Sequence, residues 1–63
     1  MSILADIEYQ APNGNWLKVM DCRNSPPSIK NAMEATLKSN GFIKKVRAVD
    51  PKTKQLLDMA FKQ

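Results

Sequence analysis

The sequence predicts an α+β fold in which two β-hairpins flank one helix, in the order ββαββ. One stretch carries both start and stop signals for a helix, and on each side of it two alternating segments are joined by a turn-forming loop. The 63 residues suffice for a single domain, with hairpins over residues 2–22 and 42–62 and a helix over 25–41. The simplest closed arrangement is a four-stranded antiparallel sheet in the order 2-1-3-4, with the helix packed on one face.

The helix is predicted to begin after Ser25 and to end at Gly41. Serine is a preferred N-cap residue, and the proline that follows it suits the first helical position. Apolar side chains recur at three- and four-residue intervals from Ile29 to Leu37, which gives the helix one apolar stripe. Gly41 is expected to end the helix in the left-handed conformation, with Phe42 packed over Leu37.

The first hairpin is predicted from alternating apolar residues over 3–9 and from the loop at residues 12–14, which reads Pro-Asn-Gly. This composition is typical of a three-residue loop whose glycine is left-handed. The resulting register places apolar pairs on one face and a charge pair on the other. The expected pairs are Ala11 with Asn15, Tyr9 with Leu17, Glu8 with Lys18, and Ile7 with Val19.

The second hairpin is predicted to turn at residues 51–54, because proline is not expected inside a central strand. One mismatch remains in this register, because it sets Lys44 against Phe61. The expected pairs are Val46 with Met59, Arg47 with Asp58, Ala48 with Leu57, and Val49 with Leu56.

These registers divide the side chains between a face covered by the helix and an outer face. The predicted core contains Ile3, Ala5, Ile7, Tyr9, Leu17, Val19, Ile29, Met33, Leu37, Phe42, Val46, Ala48, Leu57, Met59 and Phe61. The predicted outer face contains Leu4, Asp6, Glu8, Gln10, Trp16, Lys18, Met20, Lys45, Arg47, Val49, Leu56 and Asp58.

The sequence contains few residues of the types that form catalytic, metal-binding or phosphate-binding sites. The chain has no histidine and one cysteine, Cys22, so neither a thiolate–imidazole pair nor a zinc site is expected. Both glycines are assigned to a turn and a helix end, which leaves no phosphate-binding loop. The sequence therefore predicts no catalytic residue, no metal site, no cofactor and no small-molecule substrate.

The same features predict a cytoplasmic protein. A single cysteine suits a reducing compartment. No run of about 18 apolar residues predicts a membrane helix, and the first residues do not resemble a secretory signal. Charge is uneven, with a net of −1 over residues 1–29 and +5 over residues 30–63, within a total of +4.

The outer face predicts a binding function, because exposed apolar side chains among charges are typical of interaction sites. The preferred hypothesis is a protein partner or self-association through this face or through an edge strand. The size and the basic half also suit an accessory or inhibitor protein of bacteriophage or mobile-element type. The predicted protein-interface residues are Leu4, Trp16, Met20, Val49 and Leu56.

The alternative hypothesis is nucleic-acid binding by the basic half, with Trp16 stacking against bases. Against it stand the single outward aromatic ring, the acidic residues on the same face and the absence of a ribonucleoprotein motif in the third strand. The residues predicted for this alternative are Trp16, Lys18, Lys44, Lys45, Arg47, Lys52 and Lys54.

Overall fold

A computed structural model describes residues 3–62 and confirms the predicted fold. The sheet order is β2-β1-β3-β4, and every neighbouring pair of strands is antiparallel. One helix packs against the strands on one side of the sheet. The elements are β1 (Leu4–Gln10), β2 (Trp16–Arg23), α1 (Pro26–Ser39), β3 (Lys45–Val49) and β4 (Leu56–Phe61).

The start of α1 agrees with the prediction, but its end does not. Ser25 is extended, and its carbonyl accepts the first helical bond from the Ile29 N–H at 2.9 Å. Its hydroxyl makes no capping bond. At the other end Asn40 is extended, and Gly41 is not in the left-handed region, so the predicted glycine stop is wrong.

Hydroxyl groups bond to carbonyls in the last turns of α1. Thr36 Oγ1 donates to the Ala32 carbonyl at 2.9 Å, and Ser39 Oγ donates to the Thr36 carbonyl at 2.7 Å. The chain is extended at Asn40 and then turns at residues 41 and 42. Phe42 is half exposed and packs edge-on against Tyr9, with ring centroids 6.0 Å apart.

The first hairpin loop has the predicted geometry. The Ala11 N–H donates to the Asn15 carbonyl at 2.7 Å, and the Gly14 N–H donates to the Ala11 carbonyl at 2.9 Å. Gly14 has a φ of +92°, the conformation that this loop requires. The Tyr9–Leu17 and Glu8–Lys18 pairs follow as predicted.

Beyond Lys18, β2 contains a β-bulge. Val19 is the extra residue, and Ile7 pairs with Met20 instead of Val19. The predicted Ile7–Val19 pair is therefore wrong. Since partners in an antiparallel pair share a face, the bulge turns Met20 and Cys22 toward the helix side. Met20 was expected on the outer face.

The second hairpin has the predicted loop over residues 51–54 and a second bulge. Asp50 Oδ1 accepts the N–H groups of Lys52 and Thr53 at 2.8 and 3.1 Å, and Lys54 is left-handed with a φ of +63°. Val49 pairs with Leu56 as predicted.

Leu57 is then the extra residue of β4, so the other three predicted pairs are displaced by one residue. The observed pairs are Ala48 with Asp58, Arg47 with Met59, Val46 with Ala60, and Lys45 with Phe61.

The core is smaller than predicted, because one helix about 10 Å wide cannot cover four strands that span about 14 Å between the outer strand axes. The buried apolar residues are Ala5, Ile7, Ile29, Met33, Ile43, Val46, Ala48 and Val49, and Tyr9, Leu37 and Leu57 are partly buried against them. Contrary to prediction, Val49 is buried, and Ile43, which is not among the predicted core residues, is buried as well. The predicted core residues that are exposed instead are Ile3, Leu17, Val19, Phe42 and Phe61, while Met59 is half-buried on the outer face.

Candidate interaction surfaces

The five residues predicted as a protein interface do not form one surface. Val49 is only 3% exposed, because it lies on a central strand between its partners on β1 and β4. Met20 lies on the helix side of the sheet. Leu4 and Leu56 are exposed toward one end of the outer face, while Trp16 lies at the opposite end.

The largest group of exposed apolar side chains lies elsewhere, on β2 and on the connection between α1 and β3. Leu17, Val19, Met20 and Phe42 are 46%, 43%, 37% and 50% exposed. Leu17 pairs with Tyr9, and the Tyr9 ring contacts Phe42, so these residues are neighbours across β2, β1 and the α1–β3 connection. We call these four exposed residues the β2 patch.

The β2 patch is open because α1 runs from the end of β2 toward the end of β4. The helix begins three residues after β2 ends, and its last turns border the end of β4 in a groove lined by Glu34, Leu37, Lys38, Phe61 and Lys62. This path leaves uncovered the corner of the sheet near the first hairpin loop. An exposed surface of this kind is typical of an interaction site.

The two flanks of α1 differ in charge. Lys30, Glu34 and Lys38 are spaced by four residues and share one flank, which the groove places toward β4. The opposite flank, toward β2, is uncharged and carries small side chains. Its residues are Ser28, Asn31, Ala32, Ala35 and Ser39.

A second surface lies on the outer face, where cations stand over aromatic rings. The Arg47 guanidinium carbon is 4.3 Å from the centroid of the Trp16 ring, and Arg47 Nε donates to Glu8 Oε1 at 2.7 Å. The Lys45 ammonium is 5.8 Å from the centroid of the Phe61 ring. The bulge in β4 brings Phe61 to this face.

Two further lysines lie at the same end of the sheet, where Lys62 lines the groove beside α1 and Lys44 lies next to Phe42. The Lys62 N–H donates to the Lys44 carbonyl at 2.8 Å, which places these residues side by side next to the Lys45–Phe61 pair. We call this region the basic–aromatic end. It comprises Trp16, Lys44, Lys45, Arg47, Phe61 and Lys62.

The acidic residues of the sheet gather toward its other end. Lys18 Nζ lies 3.4 Å from Asp6 and 3.9 Å from Asp21, and Asp6 is largely buried. Asp58 and Asp50 follow toward the same end. Glu8 is the acidic residue nearest to the basic–aromatic end, and Arg47 neutralises it.

The predicted nucleic-acid set is therefore divided by the fold. Trp16, Lys44, Lys45 and Arg47 are at the basic–aromatic end, whereas Lys18 is paired with the acidic residues. Lys52 and Lys54 are in the β3–β4 turn at the far end, with Asp50. Five residues separate Lys45 at one end of β3 from Asp50 at the other, a distance of about 17 Å along the strand.

Sequence reasoning missed Leu17, Val19, Phe42, Phe61 and Lys62 as surface site residues. Two signals were present in the sequence. Apolar doublets, Val19-Met20 and Leu56-Leu57, interrupt the alternation of both edge strands where the bulges occur. The expected pairing of Lys44 with Phe61 was the other sign of a displaced register.

Cys22 is half-buried on the helix side of β2, against the core. Burial raises the pKa of its thiol above the usual range, and the neighbouring Asp21 carboxylate raises that pKa further. Both effects disfavour the thiolate, which is the reactive form of cysteine.

The chain is thus a ββαββ protein of the α+β class with two exposed surfaces. No family model, curated protein or solved structure significantly matches it. Among residues 3–62, no helix has the length and apolar character needed to cross a membrane.

Proposed function

We propose that this is a small, non-catalytic binding protein that associates with a second copy of itself through the β2 patch. The observation that carries this proposal is the group of four large apolar side chains, each more than a third exposed, that α1 leaves uncovered. The lone cysteine and the lack of histidine support a cytoplasmic protein without a cofactor or a catalytic site.

A second copy fits this surface because the patch is complementary to its own surroundings. Large side chains on β2 form a ridge, and the small side chains on the adjacent flank of α1 form a trough. A two-fold axis between two copies would set the ridge of each against the trough of the other. Neither the β2 patch nor this flank carries a charge that such packing would bury.

The length of the chain also favours a second copy of the protein as the binding partner. A domain of about 60 residues buries only about 60% of the surface of its unfolded chain, so association adds burial that the monomer cannot provide. Packing of faces is favoured over addition of a strand, because both edge strands contain bulges. Bulges at sheet edges hinder pairing with another strand.

Analytical ultracentrifugation over a range of protein concentrations tests the proposal with a matched pair of variants. Leu17→Lys places a charge in the β2 patch, whereas Leu56→Lys makes the same change at a similarly exposed site on the outer face. We expect the wild-type protein and Leu56→Lys to dimerise and Leu17→Lys to remain monomeric, with unchanged circular dichroism for all three.

A wild-type protein that stays monomeric at every concentration contradicts self-association. Equal loss of the dimer in Leu17→Lys and Leu56→Lys contradicts the assignment to the β2 patch. Dimers that persist in Leu17→Lys contradict it as well.

A further inference from the structure

We propose that the basic–aromatic end of the sheet binds single-stranded nucleic acid. In this assignment Trp16 and Phe61 stack against bases, and Lys44, Lys45 and Lys62 contact phosphates. The two rings are on the outer face, whereas Lys44 lines a depression with Phe42 of the β2 patch.

The two rings are placed for an extended strand that crosses the sheet. Trp16 is on β2 and pairs with Gln10 on β1, while Phe61 is on β4 and pairs with Lys45 on β3. Both residues therefore lie near the same end of the sheet, on edge strands whose axes are about 14 Å apart across three strand spacings. Phe61 is 58% exposed, whereas Trp16 is half-buried with the Arg47 guanidinium over its ring. Phe61 is therefore the more open of the two rings.

Charge favours a polyanion at this end. The ion pairs between described residues engage Lys18 and Arg47, and none of them engages Lys44, Lys45 or Lys62. Glu8 is bound by Arg47 at 2.7 Å. Each unpaired lysine releases a counterion when it contacts a phosphate, which makes binding dependent on salt.

The combination of aromatic rings and lysines favours a single-stranded nucleic acid over a protein or a duplex as the ligand. Lysine is depleted in the cores of protein–protein interfaces, which argues against a protein ligand here. Bases in a duplex are stacked on each other, whereas single strands offer free base faces to aromatic rings on an open sheet. Arg47 already covers part of Trp16, and its guanidinium plane extends the stacking surface.

Trp16 is the single tryptophan and reports binding directly through its fluorescence. The experiment titrates the protein with a mixed-sequence single-stranded oligonucleotide at several salt concentrations. Lys44→Gln/Lys45→Gln is compared with Lys52→Gln/Lys54→Gln, which removes the same charge at the far end of the sheet. We expect saturable quenching, a roughly tenfold weaker affinity for the first pair, and little change for the second.

The slope of affinity against salt concentration gives a second readout. Removing two phosphate contacts flattens the logarithmic slope by about 1.4, since each contact to a single strand contributes about 0.7. Stacking is tested at Phe61, where Phe61→Leu should weaken binding roughly tenfold and Phe61→Tyr should retain it.

Four outcomes overturn the proposal. They are the absence of quenching at low salt, equal weakening by the two lysine pairs, wild-type affinity in Phe61→Leu, and equal affinity for a duplex of the same sequence. Circular dichroism of each variant checks that the fold is retained.

Discussion

The two hairpins share one irregularity, and it has opposite consequences in each. Both have a tight loop, and both have one extra residue in the strand at the sheet edge. In the first hairpin the bulge at Val19 turns Met20 and Cys22 toward the helix side. In the second hairpin the bulge at Leu57 turns Met59 and Phe61 away from it.

Each bulge thereby changes one of the two candidate surfaces. The first bulge adds Met20 to the apolar side chains on the helix side that α1 leaves exposed, and Met20 is part of the β2 patch. The second bulge replaces a charged outward residue, Asp58, with Met59 and adds the Phe61 ring to the outer face. A single extra residue in a strand thus decides which chemistry each side of the sheet presents.

Substitution of the two bulge residues should give the largest difference in stability between the hairpins. Leu57 is packed against the core, whereas Val19 is exposed. We expect Leu57→Ala to lower the free energy of unfolding by about 2 kcal/mol. We expect Val19→Ala to lower it by less than about 0.5 kcal/mol. Urea denaturation at one low protein concentration measures both, and equal losses would show that the two bulges have the same environment.

Glycine should be the more stable residue at one position in each loop, so removing it from the first loop and introducing it into the second should have opposite effects on stability. Gly14 and Lys54 both have positive φ, and a Cβ built at Gly14 would contact nothing within 4 Å. Gly14→Ala should therefore cost about 1 kcal/mol through the backbone alone, whereas Lys54→Gly should stabilise by about 0.5–1 kcal/mol. Thermal denaturation measures both changes.

Two control variants isolate the backbone effect. Lys52→Gly makes the same substitution within the same loop at a residue without positive φ, and it should give no gain. Gly41→Ala should cost nothing, because its φ is not positive and its Cβ site is open. A gain in Lys52→Gly would mean that loss of charge, not relief of strain, stabilises Lys54→Gly.

The smallest expected effect is a loss of stability at high pH that comes from Cys22, and the second hairpin has no counterpart to this residue. Its pKa is raised in the folded state, so the unfolded chain loses this proton at lower pH. The stabilising contribution is therefore complete below the ordinary thiol pKa of about 8.5 and declines as pH rises above it. Native protein should also react with iodoacetamide more slowly than urea-unfolded protein at pH 8. If a Cys22→Ala variant shows the same decline in stability with rising pH, the decline comes from other titratable groups.

The sequence predicts elements and strand order because the signals for these features are local. The Pro-Asn-Gly loop fixes the pairs next to it, and Tyr9–Leu17 and Glu8–Lys18 form as expected. In the second hairpin the loop likewise fixes Val49–Leu56. Register fails only beyond each bulge, because an extra residue reverses the face of every side chain that follows.

The surfaces were harder to predict, because they depend on the path of α1 across the sheet. The apolar stripe of α1 indicates that the helix packs on the sheet, but it does not give the angle at which it crosses. Leu17 and Phe42 satisfy the pattern of core residues and are nevertheless exposed at the corner that the helix leaves open. The end of α1 was also mispredicted, because Gly41 follows an extended Asn40 and is not itself the stop.

Arg47 has a further consequence for the side of the sheet that has no helix. From β3 its guanidinium reaches Glu8 on β1 and the Trp16 ring on β2, so one side chain links three strands. The guanidinium packs on the indole at the same time as it bonds to the carboxylate. This single arginine thus ties together three strands on the side of the sheet that has no helix.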